Sequence, residues 1–458
     1  MGVGHSPIRM TNAHTGVSGA REWHARIWKL TWPILIANIS IPLVGAVDTA
    51  IMGRMPDASF VAAVAVGATV FSAIYWSFGF LRMGTTGLMA QAWGANNASE
   101  VVAIAIRALI VAVAVAAVLF LARGYVHDFV LSFFNITENV NGLASSYFLI
   151  RTWSIPAVLI HFVVLGVLFA LQKMRETLIL SVLLNVSNII LDYLFVIQFG
   201  WGVEGVAWGT VISEWFGVLV GLGLAAHAIK STVGLPPFVS QLWQGAKWIA
   251  LVGISTNLII RSFMVQLPFF MFTVFGSQFG TVVLAANAIL MQYFILLAYG
   301  LDGFAHTAET LAGRAFGAKD RDSFRATTRY SSQWAFGLAC LIALFFGIFS
   351  EGLIALMTNI DAVKQTALDY MPWVVVSPLL CVGAFQMDGI YIGATQTRVL
   401  RNYMLVAVIC YGLTIWWALP EFGNHGLWLA MMLFMLVRSI TLIVHYPRLE
   451  RQLTQASA

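Results

Sequence analysis

The sequence predicts an all-α membrane protein with twelve transmembrane helices in two six-helix lobes related by an internal repeat. Three observations carry that expectation. The 458 residues are 60% hydrophobic and only 10% charged, whereas soluble domains carry about 25% charged residues. Twelve apolar runs are each long enough to cross a bilayer, for which roughly 18–20 residues suffice. The chain also repeats itself: Leu-Met-Ala-Gln-Ala-Trp-Gly-Ala-Asn at 88–96 echoes Leu-Ala-Gly-Arg-Ala-Phe-Gly-Ala-Lys at 311–319, aligning Gly94 with Gly317. Ala170 to Arg175 echoes Gly393 to Arg398 at the same offset, and Gly205 falls in line with Gly426 two residues short of it. The period is about 222 residues, or six spans. Six crossings return the chain to its starting side, so the halves are parallel repeats about an axis along the membrane normal. Parallel halves are a transporter architecture, with a substrate site between lobes that rock to give alternating access.

Residues 1–26 are polar and hold neither an apolar core nor a small-residue cleavage site, so no cleaved signal is expected. Span 1 (27–53) carries Pro33 and Pro42 and, deep in its apolar run, Asp48. Proline removes a backbone hydrogen bond and bends a helix. A charged side chain at membrane depth costs about 2.5–3.5 kcal/mol on insertion scales, which makes Asp48 a candidate proton or cation relay. Span 2 (61–89) holds Arg82, whose expected role is lobe packing. Spans 3 (101–122) and 4 (143–171) are apolar, and His161 is expected in the core. Span 5 (177–199) sets Asn185, Asn188 and Asp192 three and four residues apart, on one helical face. Span 6 (205–228) adds Thr210 and Glu214. Oxygen donors suit a hard cation, while desolvated carboxylates hold a proton instead. The residues leave both readings open.

The polar stretch 229–246, with Pro236 and Pro237, is the expected linker between a first lobe at 27–228 and a second at 247–447, followed by a tail at 448–458. Span 7 (247–275) contains Arg261, and span 8 (281–310) places Asp302, His306 and Glu309 on one face. Spans 9 (331–357) and 10 (368–394) follow, with Asp388 in the latter, and then spans 11 (400–420) and 12 (425–447). Intramembrane charges usually pair, so Arg261 is expected to neutralise Asp302 or Glu309. The even span count puts both termini on one side. With that side cytoplasmic, seventeen of the 25 Lys and Arg lie there, three (Arg54, Arg123, Lys364) lie opposite, and five (Arg82, Arg107, Arg151, Arg261, Arg438) fall inside spans. This agrees with the positive-inside rule.

Several functions are disfavoured. The net charge of +5 is not gathered into one patch, so no nucleic-acid partner is expected. Cys340, Cys381 and Cys410 all lie in apolar runs and imply no disulfide framework. No phosphate loop, metal-ligand spacing or nucleophile elbow appears, so neither an enzyme nor a cofactor is expected.

The ordered motifs resemble the multidrug and toxic compound extrusion (MATE) transporters, specifically the DinF branch. The resemblance rests on Trp-Pro at 32–33, Val-Asp-Thr-Ala at 47–50 with Gly53, and Phe-Leu-Arg-Met-Gly-Thr-Thr-Gly-Leu-Met-Ala-Gln at 80–91. It continues with Asn188 and Asp192, Gly205 to Thr210, Leu-Asp-Gly-Phe-Ala at 301–305 and Asp-Gly-Ile-Tyr-Ile-Gly-Ala-Thr at 388–395. The resemblance implies a multi-pass inner-membrane antiporter with a central cavity and both termini cytoplasmic. It further implies Asp48 as the coupling residue, Asn188, Asp192 and Thr210 as its partners, and bending at Pro33 when the carboxylate titrates. Other MATE branches carry coupling carboxylates on spans 7 and 8; here span 7 offers Arg261 and no acid, which argues against coupling in the second lobe. Protons are the expected coupling ion, with sodium at Asp48, Asn188, Asp192 and Thr210 as the alternative. The expected cargo is small, organic, cationic and amphipathic, and a monomer suffices. A flippase for lipids or lipid-linked precursors is the competing function, though it calls for a basic cavity rather than the acidic first lobe read here.

Overall fold

The computed structural model describes residues 19–52, 57–132, 137–234, 236 and 242–455, with the backbone alone at 41–44, 46, 48–50, 52, 58 and 455. Among them the regular structure is entirely helical. The first lobe comprises α1 (Ala20–Met52), α2 (Ala58–Ser77), α3 (Phe80–Gly94), α4 (Ala98–Leu121), α5 (Arg123–Leu131), α6 (Glu138–Arg151), α7 (Ile155–Ala170), α8 (Met174–Asp192) and α9 (Gly202–Val233). The second comprises α10 (Gly245–Gly276), α11 (Thr281–Gly317), α12 (Arg321–Ile348), α13 (Ser350–Met357), α14 (Asp361–Gly393), α15 (Thr397–Phe422) and α16 (Asn424–Gln455).

Helices α2 and α3 make one crossing, interrupted at Phe78 and Gly79. Helices α6 and α7 make another, joined by a 3₁₀ turn at Thr152–Ser154 just ahead of Pro156. Among the described residues eleven segments are long and apolar enough to cross a membrane. Helix α1, at 33 residues, is long enough to make a twelfth crossing. Several helices outrun the apolar stretches that reveal them. Helix α1 starts at Ala20, α9 continues to Val233, α10 begins at Gly245 and α16 reaches Gln455. Hydropathy marks the stretch that faces lipid, whereas backbone hydrogen bonding carries a helix on into water. The connection between lobes is correspondingly shorter than 229–246.

The internal repeat appears in the backbone as well. The four non-glycine residues with positive φ among those described are Asn96 and Lys319 (55° each), Gln172 (59°) and Thr395 (52°). They form two pairs, each separated by 223 residues. A left-handed L-residue costs about 1–2 kcal/mol, so the same strain at matching turns marks the two halves as copies. The helix caps match too. The Asn97 side chain accepts from the Glu100 backbone N–H at 3.0 Å, and its counterpart Asp320 accepts from Ser323 at 2.9 Å.

The described ends of the chain, the start of α1 and the end of α16, sit at the end of the molecule that carries the α3–α4 and α11–α12 turns. Trp23 stacks on Tyr330 of α12 and His24 meets the same ring edge-on, while Glu450 near the end of α16 binds Arg321 and Arg325 at 2.8 Å. At this end the lobes meet backbone to backbone. A side chain at Gly94 would strike the Arg314 carbonyl, and one at Gly317 would strike the backbone of Gln91. These are equivalent contacts exchanged across a pseudo-twofold axis, the isologous arrangement of symmetric interfaces. Only glycine allows helices to cross so closely. The seam is reinforced by the Gln91 amide donating to the Gly393 carbonyl (2.9 Å) and by Arg314 stacked 3.9 Å from the Trp93 ring centroid.

Candidate functional site

Three groups of polar side chains lie at membrane depth. The first sits inside the first lobe. Asn188 and Asp192 are one turn apart on α8, so their side chains meet: the Asn188 amide donates to Asp192 Oδ2 at 3.1 Å. The same amide approaches Thr210 Oγ1 of α9 at 3.4 Å, and the Thr210 hydroxyl donates to the Val206 carbonyl. Asp192 is fully buried and Asn188 nearly so. Gly209 explains how a carboxylate fits there, because any side chain at that position would collide with Asp192 Oδ1. Directly after Asp192 the chain widens into a π-helical turn, Tyr193–Gln198, a local distortion common at functional sites. At the repeat-related positions, Tyr411 and Ile415, α15 stays regular. The polar trio therefore belongs to one lobe only.

Asn185 shares the helix but not the trio. Its amide donates to Ser40 of α1 at 2.7 Å, pinning α1 against α8. Helix α1 runs unbroken through positions 33, 42 and 48. Pro33 is buried, while the side chains of Pro42 and Asp48 lie outside the described residues. On its other flank α1 reaches the second lobe, where Thr31 and Thr307 share a hydrogen bond at 2.9 Å and Asn38 donates to the Tyr299 carbonyl at 3.0 Å. One helix thus touches both the trio's helix and α11.

The second group bridges the lobes. Arg82 of α3 donates to both oxygens of Glu309 on α11, at 3.1 and 3.4 Å, with His306 Nδ1 at 3.5 Å from the same carboxylate. The Arg82 guanidinium also lies 5.2 Å from the Phe169 ring centroid. The third group is wholly in the second lobe. Asp388 Oδ2 is shared by Arg261 of α10 and by Arg438 of α16, the latter at 2.6 Å. This corrects the expected pairing, since Arg261 meets neither Asp302 nor Glu309. Span 10 turns Asp388 toward α10, and Arg82 has already taken Glu309. Asp302 makes no ion pair within 4 Å among the described residues. No cluster of three His, Cys, Asp or Glu suited to a metal occurs among the described residues.

A family model described as MatE matches the chain twice, over residues 33–194 and 258–418, once in each lobe. The chain belongs to the MatE family. This MatE chain is 35% identical over 422 residues to DNA damage-inducible protein F of Escherichia coli K12, covering 92% of both sequences. It is 22% identical to the probable multidrug resistance protein NorM of Bacillus cereus, over 93% of this chain and 95% of that one. Among solved structures it is similar to the crystallised Vibrio cholerae MATE transporter VcmN, with a TM-score of 0.83, 20% identity and coverage of 94% and 98%. At that identity the likeness is one of fold. The MatE chain is accordingly a multi-pass membrane efflux transporter rather than an enzyme.

Two arginines at these sites had no role assigned from sequence alone, and a third had only a general one. Arg82, expected to pack the lobes, does so through an ion pair whose partner, Glu309, the sequence did not name. Arg438 completes the clamp on Asp388. Arg151, buried and over the Phe71 ring at 5.1 Å, has Glu214 and Asp192 among its electrostatic neighbours and donates to Ser154. Each is an arginine inside a span, and an intramembrane charge implies an acidic partner. That signal was present, but sequence offers no way to say which acid each arginine meets.

Proposed function

We propose that the protein is a monomeric antiporter of the bacterial inner membrane, with both termini cytoplasmic, that exchanges inward protons for outward organic compounds. Cationic amphipaths are the favoured cargo. The observation that carries this reading is the burial of Asp192 with Asn188 and Thr210 in the first lobe, set against the clamped Asp388 in the second. Asp388 already meets two counter-charges, and protonating it would leave two buried cations uncompensated. The first-lobe trio instead supplies a carboxylate, a carboxamide and a hydroxyl, donors that accept a proton or a small hard cation. Asp48, on the helix that packs against α8, is the proposed coupling partner.

In the proposed cycle Asp48 and Asp192 are ionised while the outward-facing protein holds substrate. Protonation from outside then relieves the desolvation cost, α1 bends near Pro33 and Pro42, and substrate leaves. Contacts from α1 to both α8 and α11 favour this reading, because bending of α1 disturbs both lobes. In the proposed orientation the glycine seam closes the cytoplasmic end.

The test is export of a fluorescent cationic dye from proteoliposomes under an imposed pH gradient, comparing wild type with Asp48→Asn and Asp192→Asn. Gradient-driven export lost in both variants supports the reading. Export that follows a sodium gradient changes the ion and keeps the site. Absence of dye movement under either gradient refutes the exporter and favours the flippase.

A further inference from the structure

On the outside of the first lobe, away from the groups above, an apolar groove of about 550 Å³ runs between the Thr152–Ser154 turn and α9. Trp153, Trp208, Trp215, Phe216 and Leu219 line it. Helix packing leaves these side chains open; Trp153 is 50% and Leu219 68% exposed. The Trp215 indole N–H donates to the Trp153 carbonyl at 2.9 Å, which ties the two walls together. From Trp208 to Leu219 the helix advances eleven residues, or about 16 Å at 1.5 Å per residue. That is close to half of a hydrocarbon core roughly 30 Å thick. The groove is as deep as one leaflet.

One end of the groove carries a charge. Arg123 follows α4 at the end opposite the termini, and its guanidinium lies 4.3 Å from the Phe120 ring centroid and 5.8 Å from that of Trp153. Those two rings are 4.8 Å apart and nearly perpendicular. Arg123 makes no ion pair among the described residues, and the one acid of α5, Asp128, is held by His127 at 2.8 Å. Stacking on rings uses the face of a guanidinium and leaves its N–H edge, the geometry that takes two phosphate oxygens.

We infer that this groove binds an anionic phospholipid from the leaflet opposite the termini, with the phosphate on Arg123 and an acyl chain lying from Trp208 to Leu219. A slot one leaflet deep, apolar along its length and cationic at a single end, matches that occupant in polarity, sign and length. A packed helix from another protein would meet no counter-charge need at one end only. Tryptophan at the headgroup level is the usual membrane anchor. The site also reaches inward. Trp153 stands between Arg151 and Ser154 in the chain, and Ser154 hydrogen-bonds Tyr75 at 2.8 Å inside the lobe. A lipid seated on Trp153 braces the turn that positions Arg151.

The test is native mass spectrometry of the full chain released from detergent, titrated with phosphatidylglycerol or with phosphatidylcholine of the same acyl chains. Wild type is expected to hold its first phosphatidylglycerol about fivefold more tightly than phosphatidylcholine, the discrimination one basic residue provides at a membrane surface. Arg123→Gln should erase the preference, weakening phosphatidylglycerol several-fold more than phosphatidylcholine, while Arg123→Lys retains part of it. Trp208→Ala, at a partly exposed wall position, should weaken both lipids alike. An unchanged preference in Arg123→Gln, or tight binding of both lipids in Trp208→Ala, overturns the inference. So does displacement of the lipid by millimolar inorganic phosphate, which would show a phosphate site that ignores the chain.

Discussion

The ion pair between Arg82 and Glu309 should act as a latch on the closed end of the molecule, and its weight can be worked from its surroundings. The pair joins α3 to α11 and lies twelve residues from Gly94 along α3, about 18 Å of helix above the glycine seam. If the lobes separate at the terminal end, the pair must break. The Glu309 side chain is 1% exposed and that of Arg82 11%. A hydrogen bond to a charged group contributes about 1.5–3 kcal/mol, which corresponds to a closed-to-open ratio larger by roughly 10- to 150-fold. The two single variants should differ. Glu309→Gln leaves Arg82 with the Phe169 ring and some solvent. Arg82→Gln leaves a buried carboxylate facing only His306 at 3.5 Å, and stranding a buried charge costs about 3–5 kcal/mol. Arg82→Gln should therefore lower thermal stability far more than Glu309→Gln. The double variant should recover most of that stability while still opening.

The assay is an electron-spin distance measurement between labels at Arg175→Cys on α8 and Asp322→Cys on α12, both exposed and both at the terminal end. The native Cys340, Cys381 and Cys410 are replaced beforehand. The double variant is expected to shift population toward longer distances by one to two orders of magnitude in ratio. A double-mutant cycle isolates the pair from its other contacts. Distance distributions identical to wild type in all three variants would refute the latch, because they would mean that the pair persists in the open form or adds nothing to closure.

Other perturbations test the remaining parts. Gly94→Leu or Gly317→Leu should hold the lobes apart at the seam by at least the 1–3 kcal/mol typical of overpacking, detected as accessibility of a cysteine at Ala315 to a water-soluble maleimide. Asp388→Asn should reduce thermal stability in detergent by about 3–5 kcal/mol, because Arg261 and Arg438 lose a shared counter-ion; the triple change with both arginines made Met should restore it. Asn97→Ala and Asp320→Ala each remove a helix cap and should cost about 1 kcal/mol apiece, equal in the two halves if the repeat is symmetric, as read by denaturation of the purified protein.

How much of this was legible in the chain depends on the range of the interaction. The twelve crossings and their repeat were readable because hydropathy and the glycine motifs are local signals. Asn188 and Asp192 were placed together by helical periodicity alone, since one turn brings them into contact. The pairing of Arg261 was not readable. Its partner lies 127 residues away in the chain, and three acids offered equivalent chemistry. The break at Thr152–Ser154 had a local signal in Pro156, which ends or bends a helix just before it, whereas the π-helical turn after Asp192 has no such mark in the sequence.

The symmetry itself separates scaffold from chemistry. What repeats at an offset of 223 residues is mechanical: the left-handed turns, the capping residues and the glycines of the seam. A pseudo-twofold along the membrane normal exchanges the lobes but not the two faces of the membrane, so it shapes the seam across which the lobes rock without making the inward- and outward-facing states equivalent. What fails to repeat is polar. Asn188 and Asp192 are replaced by Tyr411 and Ile415 at the repeat-related positions, and the arginine clamp on Asp388 has no counterpart, since Leu165 stands at the matching position. An ion gradient acts only through side chains that bind the ion, and the repeated glycines and left-handed turns offer none. The unshared residues are therefore where coupling should be sought, and a substitution there should separate ion use from lobe motion, whereas a change at the seam should impair both together.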